Sequence, residues 1–356
     1  MPIPVEPRVL VIRRRYLGDV VLLGSVLRNL RLHWPRARLS ALVEEPYAGV
    51  LAMNPDVDSA LTLPRRARKW PRFLLQLRRA RFTHVFDFDN NERTAWIARF
   101  SGARFRATVW HEGPRPRLDW IYTHRQHDPP ARHEQRHITE YFLSLLATAE
   151  VPVVTREVRL VPRETDVAFA RDLLGRSFRT VVPPRTRFLL VHPGSRSPFR
   201  LWPAERFGEV CRRVRIELGA KVVLIAGPGE EEVLRRILPH AGPDQMVIDR
   251  PLSVSELAAL TAQFDLLLCH DSGPMHVAAA VGTRVVALLG SQNPVLFAPC
   301  GPGHTVLQPP LPCTTCVEPT HCVPGDSYRN HCVRNITTEQ VFAAIRAQFA
   351  AMDVTP

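Results

Sequence analysis

The stretch Asp-Ser-Gly-Pro-Met-His at residues 271–276 decides the fold, because it stands where a strand gives way to a helix. The apolar run 266–269 before it is typical of a strand buried in a parallel sheet. The Ala-rich run 277–281 after it predicts a tightly packed helix. Ser272 suits the N-cap and Pro274 the first helical position. A strand that feeds such a helix directs free N–H groups and the positive end of the helix dipole at one point, which favours a bound phosphate.

An ordinary strand-to-helix turn in an α/β core explains the same residues. The following sequence favours a binding site, because a second apolar strand, 285–289, also ends in small, polar, turn-forming residues at 290–294. In open α/β sheets, ligands lie at the carboxyl ends of strands. Two consecutive strand ends of this kind therefore indicate a ligand.

The alternation of strand and helix extends over the chain in two series. The first begins with the strand 8–12 and contains strands at 39–43 and 83–89, and the second begins at 188–194. This pattern and the length of 356 residues predict an α/β protein with two doubly wound, Rossmann-like domains, residues 1–165 and 185–335. The segment 336–356 is predicted to be a helix that packs back on the N-terminal domain. No GxGxxG follows the first strand and no Walker A loop occurs, which argues against NAD-type and P-loop chemistry.

The charge balance points to anionic partners. The formal net charge is +13, and only Lys69 and Lys221 are lysines, so nearly all the positive charge is arginine. Arginine grips phosphates with two parallel hydrogen bonds, although a GC-rich genome would also enrich it. There is no DNA- or RNA-binding motif, so we expect a phosphorylated acceptor or an anionic membrane surface, and no nucleic acid. With neither a transmembrane run nor a signal peptide, the predicted location is cytoplasmic, peripheral at the inner face of the cytoplasmic membrane.

Two segments break the α/β rhythm. Residues 104–132 are rich in Arg, His, Pro and aromatics, which predicts either an acceptor or membrane loop or a plain irregular excursion. The second segment holds four cysteines, Cys313, Cys316, Cys322 and Cys332. Four thiols this close together could bind one structural zinc or iron, although their spacing matches no zinc class, and free thiols or disulfides remain alternatives.

Three motifs together resemble the lipopolysaccharide heptosyltransferases of glycosyltransferase family 9. They are Leu-Gly-Asp-Val at 17–20, His-Pro-Gly at 192–194 with Arg-Leu-Trp-Pro at 200–203, and the stretch 271–276 with Gly282-Thr283. The resemblance covers nearly the whole chain in the same order. It implies a GT-B fold, in which two Rossmann-like domains face an interdomain cleft and the donor binds the C-terminal one. It also implies inverting transfer of heptose from ADP-L-glycero-β-D-manno-heptose to the lipopolysaccharide inner core, with no cofactor required for catalysis.

The resemblance also assigns roles to residues. Asp19, after Gly18, matches the family's proposed general base, although an acid at a first helical turn is equally a helix cap. Arg200 matches a basic residue, usually lysine, that neutralises the leaving pyrophosphate. Further residues match donor-binding positions: Ser195, Glu231, Asp271, Ser272, Gly273 and His276. Glu230 is the alternative to Glu231 as the acid that binds ribose, and Asp271 needs a cation, a hydroxyl or a proton nearby.

Two other functions fit parts of this pattern. A GT-B nucleotide-sugar 2-epimerase would keep the fold but would need no acid at position 19. A non-enzymatic protein that binds lipid or a nucleotide sugar would not need Asp19 together with the phosphate turn. The sequence names neither the sugar nor the acceptor hydroxyl.

Overall fold

A computed structural model of the chain describes residues 6–111, 117–177, 186–196, 200–243, 245–309 and 331–354. The chain divides into two compact units, Met1–Val161 and Pro162–Pro356. Within the described residues, each unit is built on a six-stranded parallel sheet with helices. The described helices include none that is long and apolar enough to cross a membrane.

The sheet of the first unit has the strand order β3-β2-β1-β4-β5-β6. Its central strands β1 and β4 are mostly apolar, because helices cover both faces of a parallel sheet. Residues 9–12 of the first strand, for example, are fully buried. The strands are β1 (Arg8–Ile12), β2 (Arg38–Val43), β3 (Ser59–Thr62), β4 (His84–Asp87), β5 (Phe105–Trp110) and β6 (His124–His127). The α-helices are α1 (Leu17–Leu22), α2 (Gly24–His33), α3 (Ala48–Met53), α4 (Trp70–Arg79), α5 (Glu92–Ser101), α6 (Pro130–His133) and α7 (Ile138–Ser144).

The second unit repeats this topology with the order β12-β11-β10-β7-β8-β9. The strands are β7 (Phe188–His192), β8 (Lys221–Ile225), β9 (Met246–Ile248), β10 (Leu266–His270), β11 (Arg284–Leu288) and β12 (Thr305–Leu307). The α-helices are α8 (Glu164–Ser177), α9 (Ala204–Glu217), α10 (Glu231–Ala241), α11 (Val254–Thr261), α12 (Gly273–Ala280), α13 (Pro294–Phe297), α14 (His331–Arg334) and α15 (Thr338–Val354).

Each sheet has one point at which the direction of winding reverses. In the first unit it lies between β1 and β4, and in the second between β7 and β10. The helices that follow neighbouring strands at such a point leave on opposite faces of the sheet and open a crevice at the strands' carboxyl ends. The fold therefore places one candidate binding site in each unit.

The C-terminal helix corrects one expectation from the sequence. α15 packs on α9, β11 and β12, and its Val341, Phe342, Ile345 and Phe349 lie in the hydrophobic core of the second unit. The prediction that residues 336–356 pack on the N-terminal domain is therefore wrong. The apolar stripe of the helix specifies that it must dock on something, but not on which unit.

The segment 104–132 is also more regular than expected. It contributes β5 and β6 to the first sheet, and β5 pairs in parallel with β4. The sequence of β6, His-Arg-Gln-His, has no apolar residue and is mostly exposed. A strand at the edge of a sheet needs little apolar surface, which explains why the sequence gives no strand signal there.

Candidate active site

The switch point of the second unit holds an arginine–carboxylate pair. Nη1 of Arg200 lies 3.1 Å from Oδ2 of Asp271 and 3.3 Å from the carbonyl oxygen of the same residue. Asp271 follows β10 and its side chain is only 8% exposed, whereas that of Arg200 is 30% exposed. Burial raises the pKa of Asp271, and the charge of Arg200 opposes this rise. Of the partners expected for Asp271, which were a cation, a hydroxyl or a proton, the structure places the cation Arg200 beside it.

A buried histidine fixes the segment that carries Arg200. Nε2 of His270 accepts a hydrogen bond of 2.8 Å from the backbone N–H of Trp202, which requires that nitrogen to be unprotonated. Burial lowers the pKa of His270 to about 3, so the ring is neutral at physiological pH. The indole N–H of Trp202 donates to the carbonyl of Ile336 at 2.8 Å. These two bonds hold Arg200 at the end of β10.

The helix α12 starts directly beside this pair. Ser272 is its N-cap with an extended backbone, but the Ser272 side chain accepts no hydrogen bond from the first turn of the helix. Its hydroxyl instead lies 3.3 Å from the carbonyl oxygen of His270. Gly273 opens the helix, Pro274 is its second residue, and the side chain of His276 is buried. A helix N-terminus that its own N-cap side chain does not cap, next to a partly exposed arginine, is a favourable site for an anion.

At the carboxyl edge of the second sheet, Glu230 is the acid that points inward, towards the backbone of Gly194 after β7. Its Oε2 accepts a 2.8 Å bond from the N–H of Gly227 and lies 3.5 Å from Nε2 of His192. A Cβ at Gly194 would come within 1.8 Å of Glu230, so the carboxylate lies directly on the Gly194 backbone. Burial lowers the pKa of His192, and Glu230 counters this effect.

Glu231, the acid preferred from the sequence, is exposed at the start of α10, with Oε1 3.3 Å from the N–H of Gly229. Ser195 is half-buried in the loop after β7. The structure therefore brings Arg200, Asp271, Ser272 and Gly273 together and favours Glu230 over Glu231 as the inward-facing acid.

The switch point of the first unit contains Asp19. Asp19 is the third residue of α1 and its carboxylate accepts the N–H of Tyr16 at 2.9 Å. Its other oxygen accepts Nη2 of Arg13 at 2.8 Å. Its side chain is still 21% exposed. The acid therefore caps the helix from inside its first turn, one residue after Gly18, rather than as the N-cap residue, and retains an open side.

Arg13 connects Asp19 to the neighbouring strand. Its Nη1 donates to the carbonyl of Phe88 at 2.9 Å and lies 3.4 Å from Oδ1 of Asp89. Arg14 grips the other oxygen of Asp89 through its backbone N–H and Nε, at 2.9 and 2.8 Å. The pKa of the buried Arg13 is raised: burial opposes its charge, but Asp19 and Asp89 outweigh this effect. These ion pairs of Arg13 and Arg14 fix the position of the Asp19 carboxylate.

The other acids at this edge are less suited to meet a substrate. Asp87 is fully buried and accepts the Tyr122 hydroxyl at 2.5 Å and the N–H of Asp89 at 2.9 Å. Burial raises the pKa of Asp87 to about 6. The Asp89 side chain is 6% exposed and is occupied by two arginines. Of these three acids, Asp19 has the most accessible carboxylate.

Sequence reasoning assigned no role to Arg13, Arg14, His192 or His270, and it named Glu230 only as the alternative to Glu231. Their one common signal is that they stand within a few residues of strand ends. Cys313, Cys316 and Cys322 lie outside the described residues, whereas Cys332 is buried on α14. Among the described residues, no group of three or more His, Cys, Asp or Glu side chains is arranged to bind a metal.

Comparisons with known proteins identify the family of the chain. The model of glycosyltransferase family 9 (heptosyltransferase) matches residues 70–324. The chain belongs to this family. A relative in Haemophilus influenzae, the lipopolysaccharide core heptosyltransferase OpsX, is 24% identical over 297 residues, which cover 81% of this chain and 80% of that protein.

Two solved structures show the same fold. A family 9 glycosyl transferase from Veillonella parvula has a TM-score of 0.81 at 22% identity and covers 97% of both chains. The ADP-heptose lipopolysaccharide heptosyltransferase II of E. coli has a TM-score of 0.77 at 19% identity, over 98% of this chain and all of that chain. The predicted GT-B class is confirmed. The protein is a glycosyltransferase, which argues against the epimerase and the non-enzymatic alternatives.

Proposed function

We propose that this enzyme transfers a heptose from ADP-L-glycero-D-manno-heptose to a sugar hydroxyl of a lipopolysaccharide core acceptor, with inversion at the anomeric carbon. Membership of family 9 supports the reaction class, and the relatives named above carry heptosyltransferase names. The observation that carries the proposal is the second unit's switch point, where the Arg200–Asp271 pair adjoins the start of α12.

The donor's pyrophosphate binds at this point in the proposal. Arg200 donates from its exposed side, and the first turn of α12 contributes its N–H groups and dipole. The buried Asp271 holds the guanidinium in place. As the glycosidic bond breaks, negative charge grows on the leaving ADP, and a fixed arginine next to a helix terminus stabilises it without reorganisation. This arrangement supplies the positive charge that departure needs, so the proposed catalysis requires no cofactor.

The ribose of the donor is assigned to Glu230. Its carboxylate has one oxygen engaged by Gly227 and His192, and retains acceptor capacity for a sugar hydroxyl. The side chain lies at the carboxyl ends of β7 and β8, beside the proposed pyrophosphate position. Glu231 faces solvent and has no role in this proposal.

The acceptor is activated by Asp19. A hydroxyl that attacks the anomeric carbon must lose its proton, and a positioned carboxylate accelerates this step by about 10²–10⁴-fold. Arg13 and the N–H of Tyr16 orient the carboxylate, and its exposed side is left for the acceptor hydroxyl. Direct attack with departure of ADP is a single displacement and yields the inverted anomer.

A structural zinc or iron at the four cysteines remains a prediction, which elemental analysis of protein purified without chelator would test.

A transfer assay tests the function directly. The purified enzyme is incubated with ADP-heptose and lipopolysaccharide core that lacks heptose, and the product is analysed by mass spectrometry and by NMR of the new glycosidic bond. We expect one added heptose, released ADP and an inverted anomeric configuration. Retention of configuration would contradict the assignment of Asp19 as base. Conversion of free ADP-heptose into an isomer without an acceptor would support the epimerase instead.

A further inference from the structure

An exposed aromatic cluster lies on the surface of the first unit. Trp96 and Phe100 on α5 and Trp120 in the short helical turn at residues 119–121 are 43%, 50% and 59% exposed. The ring centroids of Trp96 and Phe100 lie 6.0 Å apart, and those of Trp96 and Trp120 lie 6.2 Å apart in an edge-to-face arrangement. Three large rings that contact one another yet stay open to solvent form a continuous apolar patch, a feature that marks interaction sites.

The aromatic cluster has a helical origin. The buried side of α5 is formed by Thr94, Ala95, Ile97, Ala98 and Ser101, and the opposite side carries Trp96 and Phe100. Helix α5 therefore packs into the core of its unit with small residues and Ile97. Its bulkiest side chains face outward, so the fold of this unit does not account for them.

Positive charge surrounds the cluster. Arg93 and Arg99 are exposed on the same side of α5 as the two rings. The single acid of this helix, Glu92, faces Arg117 at 3.8 Å. Helix α4 packs against α5, and the guanidinium of Arg78 lies against Gly102, which directly follows α5.

The neighbouring segment strengthens this charge. Residues 65–81, which contain α4, include no acidic residue and the following basic residues, all exposed: Arg65, Arg66, Arg68, Lys69, Arg72, Arg78, Arg79 and Arg81. Arg65 forms an exposed ion pair with Glu45 at 3.4 Å. Leu75 of α4 is also 49% exposed.

We infer that this face, formed by α4, the outer side of α5 and Trp120, binds the surface of an anionic phospholipid bilayer. Tryptophan rings are favoured at the boundary between lipid headgroups and acyl chains, and arginines beside them attract anionic headgroups. A second copy of the chain fits less well, because two identical basic faces repel each other. The inference rests on this surface alone, and its test needs no transferase activity.

The first experiment measures sedimentation of the purified full chain with vesicles of phosphatidylcholine containing phosphatidylglycerol. The test variant is Trp96→Ser with Phe100→Ser and Trp120→Ser. The matched control is Ile216→Ser, which removes a 68% exposed apolar residue from α9 of the second unit. We expect the wild type and the control to bind and the triple variant to bind at least about tenfold more weakly, because binding scales with the apolar area inserted. Unchanged ADP binding and melting temperature establish that each variant is folded.

The second experiment tests the charge of the same face. Arg72→Glu with Arg79→Glu should weaken binding by about tenfold or more, whereas Arg212→Glu with Arg346→Glu on the second unit should have little effect. Vesicles of phosphatidylcholine alone and high salt should both reduce wild-type binding.

Several results would overturn the inference. They are absence of wild-type binding to anionic vesicles, equal binding by the wild type and the triple variant, and equal loss in both charge-reversal variants. A wild-type dimer that becomes monomeric in the triple variant, without vesicle binding, would assign the patch to a second copy of the chain. Patch-dependent binding of single-stranded RNA without vesicle binding would assign it to nucleic acid. None of these results depends on heptose transfer, so a failure here leaves the proposed function intact.

Discussion

The substitution Arg200→Ala should impair both stability and turnover, and a second substitution separates the two effects. Removal of one partner of a buried ion pair costs about 3–5 kcal/mol, because the other charge is left unpaired. The Asp271 side chain is nearly buried, but that of Arg200 is 30% exposed and already shares its charge with water. We therefore expect a loss of about 2 kcal/mol, below the range for fully buried pairs and above that for surface pairs. For a unit of this size, the melting temperature should fall by about 4–8 °C.

This loss should depend on pH in a defined direction. Burial raises the pKa of Asp271 and Arg200 lowers it again, so the variant should raise it further. A carboxyl group whose folded-state pKa exceeds its unfolded-state value binds protons more tightly in the folded state. Its contribution to stability is therefore retained in acid and lost as the pH rises through that interval. The deficit of Arg200→Ala relative to the wild type should shrink on acidification below neutral pH, as measured by urea unfolding.

The effect on turnover is predicted to be independent of that loss. A removed electrostatic contact to the leaving group costs about 10²–10³-fold in kcat. Asp271→Asn in the Arg200→Ala background removes the unpaired charge, so it should restore the melting temperature but leave kcat low. Recovery of kcat in this double variant would refute the reasoning, since Arg200 would then act only as the counter-ion of Asp271. Arg200→Lys tests whether charge alone suffices, because lysine lacks the planar fork.

Three further predictions concern the remaining acids. Asp19→Asn should reduce kcat by about 10²-fold or more without changing the affinity for ADP, because the amide oxygen still accepts the N–H of Tyr16 but binds protons poorly. The control with near-normal kcat is Glu44→Gln, since Glu44 directly follows β2 at the same sheet edge and pairs with Arg14 at 3.2 Å. A wild-type rate for Asp19→Asn in steady-state assays would remove Asp19 as base. Glu230→Gln should weaken ADP binding by about tenfold in calorimetry, because a hydrogen bond to a charged group contributes about 1.5–3 kcal/mol. Glu231→Gln should leave ADP binding unchanged, since only Glu230 reaches inward. The reverse order of effects would assign ribose binding to Glu231. Burial raises the pKa of Asp87 to about 6, above its unfolded value of about 3.9, so its contribution to the free energy of unfolding decreases by about 3 kcal/mol as the pH rises from about 4 to 6. In urea unfolding, Asp87→Asn should not show this decrease, and pH profiles that run parallel for the variant and the wild type would contradict the prediction.

Both candidate sites depend on contacts between residues far apart in the chain. Arg200 and Asp271 are separated by 71 positions, and Arg14 and Asp89 by 75. The motifs of the sequence indicate which of these side chains are of interest. The topology places the carboxyl ends of β7 and β10 side by side. Arg200, which follows β7, therefore comes within hydrogen-bonding distance of Asp271, which follows β10.

The sequence by itself determined the two α/β units and most of their central strands, because strands buried on both faces are uninterrupted apolar runs. It also identified Ser272 as the N-cap of α12 and Asp19 as an acid of the first turn of α1, although Pro274, expected at the first helical position, is the second residue of α12. Strands β3, β5, β6 and β12 were not predicted; β3, β6 and β12 lie at the edge of a sheet, and β5 lies next to the edge strand β6. Edge strands bury too little apolar surface to leave a periodic pattern.

Only the tertiary structure decided the remaining features. It selected Glu230 over the adjacent Glu231, because only Glu230 lies against the Gly194 backbone after β7. It placed α15 in the core of the second unit and left Trp96, Phe100 and Trp120 together on the surface. Apolar periodicity specifies which side of an element is to be covered. What covers that side depends on how elements distant in sequence come together in three dimensions.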